Sequence, residues 1–588
     1  NYTQIPFQWD QIPNAEGYQL QIQNLNSSEE IVLNIPHNSI LIKDELNWGT
    51  SYSWSVCALN ILDEIIECSN NIFFTINQLP NYFPDEIIIH TLNESSYQPG
   101  ITVMDIESLN LSTAIDMDGN PIWFTDKDNI AENFVFTQFL SNGNVVGWGN
   151  GIGYETNLNG EVIFQTPNGI SIHHKFYKSP KDTYFMISAT IQDHYCPEEC
   201  NPALPDIIPW QGDTFIELDA NGNELWSWNT FNYIDSTEYN PYYVQTYTGA
   251  YQMDWTHSNS VFYDKNSESV FVSIRNLSRI TKIDYTSKDI IWDLGQTDFM
   301  NNIYYDVDLN FSQQHSVQVL DNGNLLFFDN HRYLNPELSR CVEIDYNENT
   351  HEATIVWEHQ LSAGFSSGSR GECDRLENGN TLITAGRTGN TLEVTPENEI
   401  AWHLEVENSG INVTMYRSER IQNLHPISYS ITINNYIGTM GNAYVEPNNN
   451  IINTTIHNNS WGDGQFYYSL QKDNEEITSG NLFVNSFSNT ELDINIEPYN
   501  LDSGSILNLN IYPENAPDKI QSINFSILSS VLLGDLNNDG ELNVLDIVIL
   551  SNLILSGDSS NPNGDLNNDD IQNILDIVIL INSILNEF

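Results

Sequence analysis

The chain has 588 residues, of which 79 are acidic and 19 are basic, so its formal net charge is −60. This length exceeds what one ordinary hydrophobic core requires and predicts several domains. A surface this acidic repels nucleic acid and anionic membranes, so neither is expected as a partner. No run of about eighteen apolar residues is present, so no membrane insertion is expected. The scarcity of Lys and Arg suits a secreted protein in salty, calcium-containing water, although acidic drift without a particular habitat is the alternative.

The six cysteines predict disulfide bonds. They fall in close pairs along the chain: Cys57 and Cys68, Cys196 and Cys200, Cys341 and Cys373. None has the spacing of a zinc site, and an even count fits an oxidising compartment. We therefore expect a secreted or cell-surface protein, in an extracellular or periplasmic setting.

Residues 1–78 read as short alternating strands, such as "GYQLQIQ" and "SYSWSVCAL". The stretch "FQWDQIPNAEGYQLQI" resembles a fibronectin type III domain, with Trp9 and Tyr18 as core aromatics. The resemblance implies a β-sandwich that spaces or presents its neighbours. The stretch "NQLPNYFPDE" (77–86) looks like the start of a linker, which we expect over residues 79–98.

Residues 99–408 repeat two kinds of hairpin. The first kind carries Asn-Gly between apolar strands, in "FLSNGNVVGW" (139–148), "VLDNGNLLFF" (319–328) and "RLENGNTLIT" (375–384). Asn-Gly in this setting predicts a type I′ turn with positive φ at both central residues. The second kind ends in an aromatic residue, as in "DANGNELWSW" and "TPENEIAWHL".

Pairing one hairpin of each kind gives four-stranded units. There are six, at about 99–125, 133–166, 171–229, 255–294, 314–359 and 370–406. Units of this kind with almost no helical periodicity predict a six-bladed β-propeller. The count could differ by one, because the first unit is the least regular.

The predicted fold is therefore mostly β. A six-bladed propeller (99–408) is flanked by β-sandwich domains, the second of which covers residues 409–530. A small α-helical, calcium-binding domain (531–588) ends the chain.

Two near-identical acidic loops, "DLNNDGELNVLD" (535–546) and "DLNNDDIQNILD" (565–576), lie in this last domain. Each places oxygen donors at positions 1, 3, 5, 7, 9 and 12, and a hard cation such as Ca²⁺ takes six to eight oxygens. The predicted ligands are Asp535, Asn537, Asp539, Glu541 through its carbonyl, Asn543 and Asp546, then Asp565, Asn567, Asp569, Ile571 through its carbonyl, Asn573 and Asp576.

The duplicated loops, each followed by an apolar helix such as "VLDIVILSNLIL", resemble a type I dockerin domain. This resemblance implies structural Ca²⁺ and attachment to a protein partner or a cell surface. Asp570 replaces the glycine at position 6 of the second loop, which predicts a weaker second site.

The candidate catalytic residues lie in the propeller. The first strand of each blade lines the central channel, and several of these strands begin with histidine: His257 in "DWTHSNSV", His315 in "QQHSVQVL", and His173 and His174 in "SIHHKFY". We select His257, His315 and Arg332 as catalytic candidates. His174, Asn259 and Arg370 are candidate channel-lining residues, and the alternative for any one histidine is a structural, hydrogen-bonded imidazole.

The blocks "DWTHSNSV", "QHSVQVLDNGNLLFFDN" and "RLENGNTLITAG" resemble the bacterial arylsulfate sulfotransferases. That family implies a secreted six-bladed propeller that moves a sulfuryl group between aryl sulfate and phenolic small molecules, without a nucleotide cofactor, through a sulfohistidine. In chemical terms, a neutral imidazole attacks sulfur, a protonated histidine gives its proton to the leaving phenolate, and Arg332 holds the sulfuryl oxygens.

One departure from the family pattern concerns the last blade, where the family's sulfated histidine is expected. This chain reads "FSSGSRGECDR" there, and no histidine occurs between residues 360 and 402. Ser367 and Arg370 are the nearest polar replacements. Either His315 or His257 has become the nucleophile, or transfer has been lost. The closing segment "TMYRSERIQNLHP" contains Tyr416, Arg417 and Arg420. These residues either tie the ring shut or reach the channel mouth, and we favour the structural interpretation.

Two other functions stay open at this point. The missing histidine, the flanking sandwiches and the dockerin-like tail favour a non-catalytic extracellular binding or structural protein. The motif "DYTSKDIIW" is also seen in quinoprotein dehydrogenases, but that class needs more such motifs and a vicinal cysteine pair, which this chain lacks.

Overall fold

The computed structural model of the chain describes residues 1–125, 130–439, 441–499, 501, 504–528, 533–537, 541–557, 561–567, 569 and 571–586. Strands predominate and the longer helices lie near the C-terminus, so the predicted fold class is confirmed. Short 3-10 turns occur at Glu107–Leu109, Thr297–Phe299, Glu497–Tyr499 and Pro562–Gly564.

The N-terminal unit is built from two sheets. Its strands are β1 (Ile5–Gln8), β2 (Gly17–Asn24), β3 (Glu30–Ile35), β4 (Ser39–Ile42), β5 (Ser51–Leu59), β6 (Ile65–Cys68) and β7 (Ile72–Thr75). β1 pairs with β4, while the other five form a second sheet. Alternate residues of β2, including Leu20 and Ile22, are buried, as expected for a strand with one covered face. Trp9 meets Tyr18 edge-on, with ring centroids 5.4 Å apart.

The segment predicted as a linker contains strand β8 (Glu86–Leu92). β8 pairs antiparallel with a strand of the sixth propeller sheet, from Leu92 opposite Trp402 to Glu86 opposite Glu407. Its apolar residues Ile87 and Ile89 pack on the propeller core, so burial rather than turn composition decides the structure of this segment.

The first three propeller sheets follow in order. The first contains β9 (Ile101–Ile106), β10 (Leu111–Ile115) and β11 (Pro121–Phe124), and the second contains β12 (Val135–Phe139), β13 (Val145–Gly149), β14 (Ile152–Thr156) and β15 (Val162–Gln165). The third contains β16 (Ile172–Lys178), β17 (Tyr184–Tyr195), β18 (Ile207–Leu218) and β19 (Glu224–Asn229). Helices α1 (Thr230–Tyr233) and α2 (Pro241–Thr246) and the short β20 (Met253–Asp254) come next.

The remaining sheets have the same meander order. The fourth sheet contains β21 (Ser258–Asp264), β22 (Ser269–Ile274), β23 (Arg279–Asp284) and β24 (Ile290–Gly295), and the fifth contains β25 (His315–Val319), β26 (Leu325–Asp329), β27 (Arg340–Asn347) and β28 (Glu352–Gln360). The sixth contains β29 (Glu372–Arg375), β30 (Thr381–Ala385), β31 (Asn390–Val394), β32 (Ile400–Asn408) and β33 (Ile411–Asn412). The next strand along the chain is β34 (Ser418–Ile421).

Strand β34 closes the ring. It pairs with β9, so the first sheet has the order β11-β10-β9-β34 and its innermost strand comes from the far end of the propeller sequence. This explains why the first repeat is the least regular, since it supplies only three of its own four strands.

The Asn-Gly turns join the first two strands of three sheets, but they are not type I′ turns. Only Gly143, Gly323 and Gly379 have positive φ, near 90°. In the first turn the N–H of Gly143 donates to the carbonyl of Leu140, and Asn142 Oδ1 accepts from the N–H of Asn144. The connection is therefore a type I turn followed by a left-handed glycine.

Tryptophans on the outer strands of three blades bond to the next blade. The indole N–H of Trp123 donates to the Leu158 carbonyl, that of Trp226 to the Tyr285 carbonyl, and that of Trp402 to the Met117 carbonyl. Each of these rings is at most 3% exposed. The aromatic residue at the end of the second hairpin type is thus an inter-blade contact that satisfies its polar N–H.

The C-terminal sandwich has nine strands. They are β35 (Tyr429–Ile433), β36 (Tyr436–Thr439), β37 (Asn442–Val445), β38 (Ile451–Asn458), β39 (Gly464–Lys472), β40 (Glu475–Val484), β41 (Ser488–Asn495), β42 (Ile506–Pro513) and β43 (Gln521–Ile527). They form a three-stranded and a six-stranded sheet around one apolar cluster. The last described elements are helices α3 (Val544–Ser556) and α4 (Ile574–Asn586), which pack around Leu550 and Leu580.

All three cysteine pairs form disulfides: Cys57–Cys68, Cys196–Cys200 and Cys341–Cys373. The first links β5 to β6, and the third links β27 of the fifth blade to β29 of the sixth.

Candidate functional site

The innermost strands of blades three, four and five share a local distortion at their first residues. The register of each strand shifts there, between Ile172 and Phe176, between Ser258 and Ser260, and between His315 and Gln318. His174 and His257 have positive φ, 61° and 49°, which is uncommon for residues other than glycine. Bulges of this kind redirect side chains, and here they bring imidazoles together in the channel.

The structure brings three histidines together. The ring centroid of His174 lies 4.9 Å from that of His257 and 6.2 Å from that of His315. We call these three residues the histidine cluster. Tyr416, from the segment just before β34, completes the group, 5.5 Å from His315 and 6.3 Å from His174.

Each imidazole of the cluster has a defined partner. His257 Nδ1 lies 2.5 Å from Asp254 Oδ2, and a carboxylate only accepts, so Nδ1 is the donor of this pair. His315 Nδ1 lies 2.9 Å from the Gly371 carbonyl oxygen, which only accepts, so Nδ1 holds the proton and Nε2 is bare. His174 Nδ1 lies 2.7 Å from His173 Nδ1.

Burial keeps two members of the cluster neutral. Burial, together with the charge of His257, holds the pKa of His174 well below its usual 6.5. Burial, then Arg417 and Arg275, does the same to the pKa of His315. A neutral imidazole offers a lone pair, which is what a nucleophile at sulfur requires.

The guanidinium groups whose charge acts on the cluster include Arg275 and Arg417, neither of which was a predicted catalytic residue. Arg332 lies over the ring of Tyr333, 5.0 Å from its centroid, and packs near Gly368. Arg417 is 2% exposed, and its Nη1 lies 3.3 Å from Glu372 Oε1. Its Nε and Nη2 are buried without a hydrogen-bond partner among the described residues.

The structure corrects the structural interpretation of Tyr416 and Arg417, since both reach the histidine cluster. For Arg420 that interpretation agrees with its contacts, because its guanidinium bonds Thr102 and Glu393. No pattern in the sequence distinguished Tyr416 and Arg417 from Arg420. Which side chain faces the channel depends on how the closing strand enters the ring.

Two predicted channel-lining residues have other roles. Asn259 is fully buried, and its amide donates to the Gln314 carbonyl, which joins blades four and five. Arg370, at the start of blade six, forms a two-pronged ion pair with Glu107, in which Nη2 lies 2.8 Å from Oε1. At the position in the last blade where the resemblance predicts the sulfated histidine, this chain therefore has an arginine that is ion-paired with a carboxylate.

The opposite end of the channel opens into a cavity of about 1460 Å³. It begins one residue beyond the histidines, at Lys175 and Ser316, and ends against the C-terminal sandwich at Lys519. Its polar lining, which we call the carboxylate end, includes Lys175, Glu372, Asp374 and Glu419. Burial raises the pKa of Glu419 to about 7 and lowers that of Lys175 to about 8, and burial with Glu372 raises that of Asp374.

The predicted calcium loops fold back on themselves. Asp546 Oδ1 accepts from the N–H groups of Leu536 and Asn537, so position 12 of the loop lies against positions 2 and 3, and Asp576 does the same in the second loop. Their donor chemistry, oxygen from Asp and Asn, fits a hard cation. Asp539 and Asp570 lie outside the described residues, and the described ones include no group of three or more His, Cys, Asp or Glu side chains arranged to hold a metal.

None of the helices in the described part of the chain has the length and apolar run that a membrane crossing requires. The disulfides and the dockerin-type tail point to an extracellular setting.

The chain is remotely similar to several solved structures. The extracellular domain of a hybrid two-component system from B. thetaiotaomicron is 11% identical over 87% of this chain and 73% of its own, with a TM-score of 0.28. Virginiamycin B lyase from Staphylococcus aureus is 13% identical over 56% and 90%, with a TM-score of 0.30. No curated protein matches the chain.

Family models give a clearer result. The type I dockerin domain matches residues 533–585. A second family model matches from residue 69 onward, so neither match tests the fibronectin type III resemblance of residues 1–78, which stays a prediction. That match, to the arylsulfotransferase (ASST) model, extends over residues 69–428, more than half of the chain and the whole ring of blades. The chain therefore belongs to the arylsulfotransferase (ASST) family.

Proposed function

We propose that this protein moves a sulfuryl group from a phenolic sulfate to a phenolic acceptor through a histidine in the propeller channel. The observation that carries the proposal is the convergence of His174, His257 and His315, with ring centroids 4.9 and 6.2 Å apart, in a channel that also holds two arginines.

The geometry supplies each requirement of the transfer. A bare ring nitrogen attacks sulfur, the sulfur–oxygen bond to the aryl group breaks, and the departing phenolate takes a proton. His257, paired with Asp254, is placed to give that proton and to take it back from the acceptor phenol. The positive charges of Arg275 and Arg417 stabilise the negative sulfuryl oxygens in a buried setting. No step calls for a nucleotide cofactor.

The test is release of nitrophenolate from 4-nitrophenyl sulfate, with phenol as acceptor, by the full chain. We expect turnover that depends on phenol and is lost in His257→Asn, because asparagine tolerates the positive φ at this position. A His359→Asn variant, on the outer face of blade five where His359 bonds Asn398, is the matched control and should keep the parent rate.

A second candidate function is binding without transfer, and one observation favours it. Arg370 is ion-paired at the position where the family resemblance predicts the sulfated histidine. Absence of turnover from about pH 6 to about pH 9, with bound aryl sulfate detected by calorimetry, would establish this alternative and contradict the transferase.

We also propose that Ca²⁺ stabilises residues 533–585 and that this domain attaches the protein to a protein partner or a cell surface. Asp535, Asn537, Asp546 and their counterparts in the second loop would hold the ion. Chelation should lower the helical circular dichroism signal of α3 and α4, and added Ca²⁺ should restore it. An unchanged signal would count against the calcium assignment.

A further inference from the structure

Access to the channel differs among the three imidazoles of the histidine cluster. His315 is 2% exposed and lies beneath Tyr416, whereas the side chain of His257 is 31% exposed and His174 is half-buried. A nucleophile has to contact the sulfur of an incoming donor. The two reachable imidazoles are therefore His174 and His257, and they are neighbours.

The polar contacts of His173 and His174 indicate which ring nitrogen of His174 is bare. His173 Nε2 lies 3.1 Å from Asp213 Oδ1, and a carboxylate can only accept, so Nε2 of His173 carries a proton. When His173 holds a single proton, at Nε2, its Nδ1 is an acceptor. It lies 2.7 Å from His174 Nδ1, which must be the donor, and this leaves His174 Nε2 unprotonated.

Asp213 is held in place for this role. It is fully buried, and its other oxygen accepts from the Thr256 hydroxyl and from the N–H of Ser258. These contacts, with His173, lower the pKa of Asp213 despite burial and keep it ionised. A carboxylate that orients an imidazole, which in turn orients the reacting group, is the arrangement of a catalytic triad.

We propose that His174 is the nucleophile that carries the sulfuryl group, with Asp213 and His173 as the positioning residues that keep its Nε2 bare. This inference rests on the proposed function and names the residue through which it operates. It also accounts for the sixth blade, where Arg370 stands in place of a histidine, because the attacking group lies on blade three instead.

The step balances as follows. The lone pair of His174 Nε2 forms a bond to sulfur while the bond between sulfur and the aryl oxygen breaks. The aryl oxygen takes its electron pair and receives the proton of His257, so a neutral phenol leaves. In the second half, the acceptor phenol gives its proton back to His257, its oxygen bonds to sulfur, and the nitrogen–sulfur bond breaks.

The decisive experiment locates the covalent intermediate. The full chain is mixed with 4-nitrophenyl sulfate without acceptor, quenched in alkali and digested, and the peptides are sequenced by mass spectrometry. We expect a mass increase of one sulfuryl group on His174, and no such adduct in His174→Asn. Asparagine is chosen because φ at this position is 61°. His174→Asn should also lose turnover by at least about 10⁴-fold, whereas His315→Asn should still form the adduct.

The other outcomes of this experiment distinguish a failure of the His174 inference from a failure of the proposed sulfuryl transfer. An adduct on His315 or His257 overturns this inference and leaves the proposed function standing. Turnover with no trapped adduct on any histidine also overturns it. Absence of both turnover and adduct in the parent protein overturns the inference and the proposed function together.

The positioning role has its own readout. His173→Gln keeps an oxygen that can accept from His174 Nδ1–H and should retain most of kcat, whereas His173→Leu should lower kcat with KM unchanged. Equal rates in the two variants, both with the parent's melting temperature, would overturn the role of His173.

Discussion

The channel has two chemically different ends on the same strands. On β16, His174 belongs to the histidine cluster and the next residue, Lys175, lines the cavity at the carboxylate end. Arg417 lies between the two ends, since it acts on His315 and contacts Glu372. Burial acts on both ends but in opposite senses, because it removes protons from imidazoles and retains them on carboxyl groups.

This difference shows how a protein with a net charge of −60 can attract an anionic group to its centre. Burial favours the uncharged form of Asp374 and Glu419, so the acidic residues nearest the channel repel a sulfuryl group less than their number suggests. Arg417 stays charged, since the neighbouring carboxylates Glu372, Asp374 and Asp105 raise its pKa against burial, and its positive charge acts on His315.

Among the variants that compare the two ends, the largest expected effect comes from His257→Asn at the histidine end. Removing the proton donor should lower kcat/KM for 4-nitrophenyl sulfate by about 10²–10⁴-fold. The loss should be greater with a less acidic phenol as leaving group, measured across a series of aryl sulfates. Asp374→Asn, at the other end, should keep the parent rate. Equal losses in both variants would mean that the two ends do not differ in function.

Arg417→Met removes the cation shared by the two ends. Glu372 then loses its buried partner, and the free energy of unfolding should fall by about 3–5 kcal/mol, measured by denaturant titration. The pKa of His315 should rise, because a neighbouring positive charge that lowers it is gone, and NMR titration can follow this. Arg417→Met combined with Glu372→Gln should recover part of the stability. No recovery would mean that this pair is not the source of the loss.

The disulfide Cys341–Cys373 anchors the carboxylate end, because Cys373 lies between Glu372 and Asp374. It closes a loop with a sequence separation of 32 residues, for which chain entropy gives about 3–4 kcal/mol. The Cys341→Ser, Cys373→Ser double variant should lose this much stability in thermal or denaturant unfolding. Removing Cys57–Cys68, with a sequence separation of 11 residues, should lower the free energy of unfolding by less. A larger loss for this pair than for Cys341–Cys373 would contradict the entropic argument.

The smallest effect concerns pH and Glu419. Burial raises its pKa from 4.5 to about 7, so its contribution to stability is fully present below about pH 4.5 and is lost as the pH rises through about 7. Glu419→Gln, which is always neutral, should lose less free energy of unfolding over this range than the parent. The exposed Glu397→Gln variant is the control, and an identical slope in all three proteins would contradict the prediction.

The sequence alone determined the features that depend on local chemistry. Hairpins repeat because Asn-Gly sequences turn wherever they lie between apolar strands, and the repeat predicted six blades. The spacing of the cysteines indicated their pairs, and His257 and His315 were found because both stand at the start of an innermost strand.

Only the tertiary structure decided which groups meet. Asp213, Arg275 and the adjacent Tyr416 and Arg417 lie at or beside the histidine cluster and come from three separate segments. The reason is geometric. Bulges and positive φ values change which side chain of a strand faces the channel. Ring closure brings β34 beside β9, although more than three hundred residues separate them in the sequence. Neither event leaves a local pattern, so neither could be predicted from neighbouring residues.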